Sequence, residues 1–214
     1  MYTGCMSKAV ETRQRILAAA TEEFATHGIA GARIDRIVSA SGASKPMLYA
    51  YYGSKEQLFD TVFTAHVIAN SGRVPFTASD LPGYAVRLYD DYLSDPALLR
   101  LVAWKRLERV PDAYLYAGLE ENDAAHLRDI AQQQREGRIH ANLEPIDVWS
   151  LLISATSTWA QASVTEIAKV NDSEAVHRRR RLALAFMVRS GLCSLPQDEA
   201  QSQPPPAGTD SRHL

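Results

Sequence analysis

The apolar positions of this chain recur at helical spacing from one end to the other, and strand-type alternation is almost absent. Ile16, Leu17, Ala20 and Phe24 form one stripe of a first helix over about residues 8–27, with Arg13, Arg15, Glu22 and Glu23 facing outward. Gly28 follows where a left-handed residue ends a helix at little steric cost. A second, short helix is expected over 34–41, with Ile34, Ile37 and Val38 on one face. Gly42 makes the next turn, and Ser44 is placed to cap a third helix by accepting from a first-turn amide. Pro46 is tolerated there because first-turn amides have no intrahelical partner to lose. Leu48 and Tyr52, four apart, hold this helix to the first two. Gly53 breaks the chain, and Ser54 with Gln57 reads as a capping box for a fourth helix through Leu58, Phe59, Val62 and Phe63 to about residue 71.

Residues 71–81, with Gly72, Pro75, Ser79 and Asp80, are expected to be a loop. Further helices follow at about 82–94, 96–109, 112–136, 145–169 and 173–194, with Asp80 and Asp95 as caps before Pro82 and Pro96, and Gly137 ending the third of them. Over 145–169, Val148, Leu151, Leu152, Ala155, Trp159, Ala162 and Ile167 make a broad apolar surface. In 173–194 the apolar residues, among them Leu182, Leu184, Phe186, Met187 and Val188, occupy more than one face. A helix apolar on two sides packs inside its own subunit and against something else, so this pair is read as a dimerisation surface, with a large monomer core as the alternative. The polar, proline-rich tail from Pro196 is expected to be disordered, and residues 1–8 flexible, with Met6 a possible second start.

Composition narrows the function classes. The net charge of −2 gives no overall basic excess. Within residues 1–60 seven lysines and arginines face six acids, a bias of the right sign for nucleic acid but a weak one. Two cysteines, Cys5 and Cys193, are too few for a disulfide framework, and Cys193 reads as a packed small hydrophobe. No apolar run approaches the roughly 20 residues of a membrane span, and the N-terminus lacks a signal-peptide core, so a cytoplasmic protein is expected. The six histidines show no metal-ligand spacing, and neither a phosphate-binding glycine loop nor a nucleophile elbow is present. An enzyme, a bound metal and a cofactor are therefore not expected. The basic run Arg178–Arg181 sweeps around its helix beside Asp172 and Glu174, and reads as a solvated or salt-bridged face.

The stretch Arg33–Lys55 carries the functional reading. Two short helices joined by a glycine turn suit a helix-turn-helix, whose second helix enters the major groove while the first crosses the backbone. The exposed side of such a helix needs short or flexible side chains, and Ser44, Lys45, Pro46, Met47, Tyr49 and Ala50 meet that need. Arg33, Tyr51 and Lys55, with the start of the fourth helix, are suitable phosphate donors. Tyr52 reads as a packing residue and Tyr49 as one of mixed role.

The run TRQRILAAATEEFATHGIAGARIDRIVSASGASKPMLYAYYGSKEQLF resembles the DNA-binding domain of tetracycline-repressor-type (TetR) regulators. The resemblance covers about residues 9–65. It rests on T-R-x-x-I-L-x-A-A-x-x-x-F, Gly28, the G-x-S-K turn at Gly42, Ser44 and Lys45, Leu48-Tyr49, and G-S-K-E-x-L-F from Gly53 to Phe59. It implies an all-α protein, with a three-helix DNA-binding domain at 9–55 followed by a larger helical effector-binding and dimerisation domain at 56–195 and a tail at 196–214. It implies groove contacts from Ser44, Lys45, Pro46, Met47 and Tyr49, and phosphate contacts from Tyr51 and Lys55. Two positions depart from the pattern. Ala32-Arg33 stands where many relatives have Thr-Thr, removing a hydroxyl cap that Arg33 could replace with a charge-assisted phosphate contact. Pro46 stands where a small residue is common and suits apolar contact to a thymine methyl.

The expected partners are double-stranded operator DNA, a second copy joined through the helices at about 145–169 and 173–194, and an unknown small effector, with no membrane. The function expected is that of a homodimeric repressor released from a palindromic operator by that effector; the alternative is a constitutive DNA-binding protein with a filled core. His66, Trp104, Tyr114, Trp149 and Trp159 are the effector-contact candidates, with ordinary core or interface packing the competing role for each. The scarcity of charge in 145–164 suggests an uncharged or weakly polar ligand.

Overall fold

The computed structural model describes residues 3–109, 115, 119–160, 163 and 165–194, with the side chains of residues 3–7 left out. Tyr114, Cys5 as a side chain, and the tail from Pro196 lie outside the described residues. The chain is all-helical: α1 Thr3–Gly31, α2 Ile34–Ser41, α3 Lys45–Tyr52, α4 Lys55–Arg73, a 3₁₀ turn Ala78–Asp80, then α5 Leu81–Ser94, α6 Pro96–Glu108, α7 Leu119–Arg135, α8 Pro145–Thr156 and α9 Glu174–Leu192. One isolated antiparallel bridge, Ile139 to Cys193, is the extent of strand pairing among the described residues.

Local chemistry sets most boundaries. Gly28 has φ 72° and interrupts α1, so Ile29–Gly31 turn away from the helix axis toward α2. Gly42, at φ 64°, closes α2, and the Ser44 hydroxyl accepts the Met47 amide at 3.3 Å to start α3. Ser54 caps α4 by accepting from the Gln57 amide at 3.1 Å; its own amide bonds the Tyr52 carbonyl, so the expected box is formed on one side. α4 extends to Arg73, past the expected end, because that guanidinium pairs with Asp91 and Asp95. Asp80 caps α5 through the Gly83 amide at 2.9 Å. Asp95 does not cap α6; its carboxylate is taken by His66 and Arg73 instead.

The expected helix over 145–169 stops at Thr156. Thr156, Ser157 and Thr158 each turn a side-chain hydroxyl back to a carbonyl three residues earlier, at 2.7, 2.9 and 2.7 Å. Hydroxyls that compete for carbonyls in this way disfavour the next helical turn. Trp159 and Ile167 therefore lie in a non-helical segment, and the helical part of the apolar surface expected over 145–169 is α8 alone.

Two buried clusters are joined by α6. Ile16, Ala20, Phe24, Ile34, Ile37, Leu48, Leu58, Phe59, Val62 and Phe63 pack α1–α4 together, with Leu101 of α6 entering from outside. Phe24 meets Phe59 edge to face at 5.2 Å, a favoured aromatic geometry. The second cluster is built from α5, α7, α8 and α9 around Leu81, Leu88, Ile130, Val148, Leu152, Leu184 and Val188. Cys193 packs half-buried against it, and burial pushes its thiol pKa up, as suits a packed hydrophobe.

Arg179, Arg180 and Arg181 of the basic run on α9 are salt-bridged, but not all of the run is a surface. Arg181 pairs with Asp90 and Glu174, and Arg179 with Glu166. Arg180 is 1% exposed and reaches Asp172 at 2.6 Å and Glu166 at 3.1 Å. Four consecutive positions sweep a helix, so one of them had to point inward.

Candidate nucleic-acid interface and effector cavities

α1 and α2 present α3 to solvent by a fixed set of bonds. Glu23 of α1 is buried, and its carboxylate accepts the Arg33 amide at 2.8 Å and the Arg36 guanidinium at 2.5–2.9 Å. Burial alone would raise the Glu23 pKa. The hydrogen bonds from Arg36 and Arg33, with the charge of Arg36, outweigh it and hold the carboxyl below its ordinary value. Glu23 thus satisfies the amide at the start of α2, where Arg33 has no side-chain cap of its own.

Leu48 is the one fully buried residue of α3, and it fixes which side faces outward. Ser44, Lys45, Pro46, Met47, Tyr49 and Ala50 are all exposed, so the structure brings the expected groove-facing residues onto one accessible surface. The Lys45 ammonium bonds Asp35 of α2 at 2.9 Å, which raises its pKa and keeps it charged. Arg33 is exposed beside this surface, and its guanidinium makes no hydrogen bond among the described residues. Tyr51 is half-buried with the Arg13 guanidinium 4.7 Å from its ring centre. Tyr52 donates its hydroxyl to the Arg13 carbonyl at 3.1 Å and packs on the core. Lys55 is more committed than expected: its ammonium donates to the Ala30 and Ala32 carbonyls, both at 3.3 Å, leaving one N–H for another partner.

The effector candidates separate. Trp149 lines a cavity of about 420 Å³ bounded by α4–α8, and Trp159 lines a neighbouring one of about 330 Å³; Tyr92 and Leu99 are common to both. Both volumes lie in the usual range for small-molecule sites. Trp104 lines neither. It lines a third cavity, of about 340 Å³, along α6, and its indole N–H bonds the Ala25 carbonyl at 3.2 Å. His66 lines none of these cavities: its ring nitrogens bond Thr21 at 3.2 Å and Asp95 at 2.8 Å, tying α4 to α1 and to the start of α6. Both join helices, since each places a polar atom against α1.

Two cavity residues were missed in the sequence. Asp123 and His126 line the larger cavity from α7, with Leu119 before them and buried Ile130 after. Positions 119, 123, 126 and 130 follow the spacing of an inward-facing stripe, so two titratable groups on that stripe were the available signal. Glu23, with Arg36, is a third omission; a carboxylate on a helix read as facing outward carried no such mark.

A helix-turn-helix on a three-helix core, followed by a larger helical unit, defines the class of DNA-binding transcriptional regulators. Residues 16–62 match the model of bacterial regulatory proteins of the tetR family, and residues 80–190 match the tetracyclin repressor-like C-terminal domain. The chain is 37% identical over 150 residues to the transcriptional repressor SCO4008 of Streptomyces coelicolor, covering 70% of this chain and 78% of that one. It is also 37% identical to the transcriptional regulator SCO4942 of the same organism, whose crystal structure superposes with a TM-score of 0.71 over 85% of this chain and 98% of that one. A gamma-butyrolactone receptor, 17% identical with a TM-score of 0.63 over 91% and 93% of the two chains, shares the fold. The chain belongs to the TetR family of DNA-binding transcriptional regulators. No helix of the described residues is long and apolar enough to cross a membrane.

Proposed function

We propose that this protein is a homodimeric repressor that grips a two-fold symmetric operator with a pair of α3 helices and lets go when a small effector enters the cavities beside α6. The observation that carries the DNA half is the exposed set Ser44, Lys45, Pro46, Met47 and Tyr49 standing over fully buried Leu48. Arg33, Tyr51 and Lys55 flank that set as phosphate donors, and the SCO4008 relative is named as a repressor.

Dimerisation is supported by the side of α8 and α9 that the chain leaves uncovered. Leu151 is 54%, Leu182 66% and Phe186 72% exposed, while Leu184 and Val188 of α9 are buried within the subunit. Two recognition helices on one operator must lie roughly 34–36 Å apart, or a multiple of that. An effector favouring a different separation would release DNA, and a shift from 1:99 to 99:1 requires about 5.5 kcal/mol of differential binding. A constitutive regulator with a filled core accounts for the helices but not for the two cavities.

The test is selection of bound sequences from random DNA, followed by binding at graded salt. A palindromic site and a log–log salt dependence set by several phosphate contacts are expected. Binding without any salt dependence, or no binding, would remove the reading.

A further inference from the structure

Among the described residues that line the larger cavity there is one carboxylate, Asp123, and no lysine or arginine. Apart from His126 the others are apolar, aromatic, or neutral amides and hydroxyls. His126 is also there, but burial lowers its pKa and keeps the ring neutral. Asp123 Oδ1 accepts the Trp149 indole N–H at 3.2 Å, and Oδ2 makes no hydrogen bond among the described residues. The carboxylate is partly buried and has one neutral donor, and burial pushes its pKa up.

The surroundings suit a cation at that point. Trp149 is packed against Phe76 at 5.1 Å, Tyr84 at 6.4 Å and His126 at 4.6 Å, so the indole and its bond to Asp123 are held in place. Trp149, Tyr84 and Tyr92 border the same space, and aromatic faces attract cations that have left water. Beyond them Leu88, Leu98, Val102 and Ile153 offer an apolar wall. An anionic ligand would meet a like charge, with no lysine or arginine among the described lining residues to offset it. A neutral hydroxyl could donate to Asp123 but would leave its charge unbalanced.

We propose that the effector of this cavity is an apolar amine, protonated at neutral pH, whose ammonium sits against Asp123 Oδ2 with its hydrocarbon body along α5, α6 and α8. This rests on the reading of the cavity as an effector site, and it replaces the uncharged ligand expected from composition. Asp123 lies on α7, outside the charge-poor stretch that suggested one.

The experiment is calorimetric titration of the full chain at pH 7 with phenyl-, naphthyl- and adamantyl-methylamine, each beside its matched alcohol and carboxylic acid. At least one amine should bind tenfold or more tightly than its alcohol, with the acid weaker still. Asp123→Asn, which keeps an acceptor for Trp149 but removes the charge, should weaken the amine at least tenfold and leave the alcohol within threefold. Trp149→Phe, which keeps the charge, should retain the preference for amine over alcohol and decides the matter if Asp123→Asn does not fold. Equal binding of amine and alcohol, or an undiminished amine affinity in Asp123→Asn, overturns the proposal. Should neutral or acidic compounds release operator DNA while amines do not, the amine inference fails and the effector reading stands. Should no compound of any charge alter operator binding, both fail.

Discussion

The Glu108 carboxylate, at the end of α6, accepts the main-chain N–H of Ala30, in the turn that ends α1, at 2.7 Å. Two more donors from α6 reach the same stretch: Arg100 Nε and Trp104 Nε1 both bond the Ala25 carbonyl, at 2.6 and 3.2 Å. The same helix presents Leu98, Leu99 and Val102 to the larger cavity. In the proposed mechanism a ligand that moves α6 pulls on the end of α1, and the bonds of Glu23 to Arg33 and Arg36 carry that displacement to α2. Glu108→Ala should leave operator affinity within a few-fold and weaken the release produced by a saturating effector. Full release in this variant, measured by fluorescence anisotropy, would show that coupling runs elsewhere.

The close approach of α6 makes Gly28 hard to replace. Its φ is 72°, and a Cβ there would lie 2.5 Å from Glu108 Oε1 and 2.9 Å from Trp104 Cε3. Glu108 can swing aside; the indole, bonded to Ala25, cannot do so freely. Gly28→Ala should cost about 1–3 kcal/mol, the usual range for a residue forced into a sparsely populated conformation. Denaturant unfolding reads this directly. Pairing the change with Trp104→Ala should recover the part due to the clash and leave the part due to φ.

Stability should depend on pH through Glu23. Its folded pKa lies below the ordinary carboxylate value, so its contribution is present at pH above the unfolded value, near 4.5, and is lost as pH falls through that value and the lower folded one. Glu23→Gln should be less stable than wild type at pH 7, and the gap should close toward pH 3. The gap is followed by urea unfolding at several pH values. A constant difference would assign the loss to packing and not to charge.

What the sequence revealed and what it hid divide along physical lines. The break at Gly28, the turn at Gly42 and the caps at Ser44 and Ser54 were legible because each is a local event written in one or two residues. The exposed side of α3 was legible because Leu48 sets its phase. The end of α8 at Thr156 was not, since apolar spacing continues past it while three hydroxyls take the carbonyls. His66 and Trp104 read as cavity groups because the sequence marks them as polar or aromatic. It does not say that Thr21, Asp95 and Ala25 will be their partners.

On the proposed DNA-facing surface, Asp35 holds Lys45 and places a negative charge beside the expected phosphate path. Asp35→Asn should free the ammonium, tighten binding to any DNA sequence and steepen the salt dependence. Lys45→Ala should do the reverse. Removing one phosphate-bound cation lowers the slope by about 1, so a dimer without its two Lys45 side chains should show a slope smaller by about 2. Anisotropy titrations from low to moderate salt measure both. A change limited to one operator sequence would instead mark Lys45 as a reader of bases.

The uncovered side of α9 makes the firmest demand on assembly. Leu182 and Phe186 are one helical turn apart and point away from the core that holds Leu184 and Val188. In a two-fold interface each subunit contributes the same patch, so one substitution removes two side chains. Burying a phenylalanine stabilises by about 1.5–3 kcal/mol, and a buried glutamate adds its own desolvation cost. Phe186→Glu should therefore raise the dimer dissociation constant at least a hundredfold, giving monomers at micromolar concentration in the ultracentrifuge. Operator affinity should fall with it, because a lone α3 can hold one half-site and has no partner on the other. Circular dichroism should be unchanged, since Phe186 is 72% exposed in the single chain. A Phe186→Glu protein that remains dimeric would move the interface off α9.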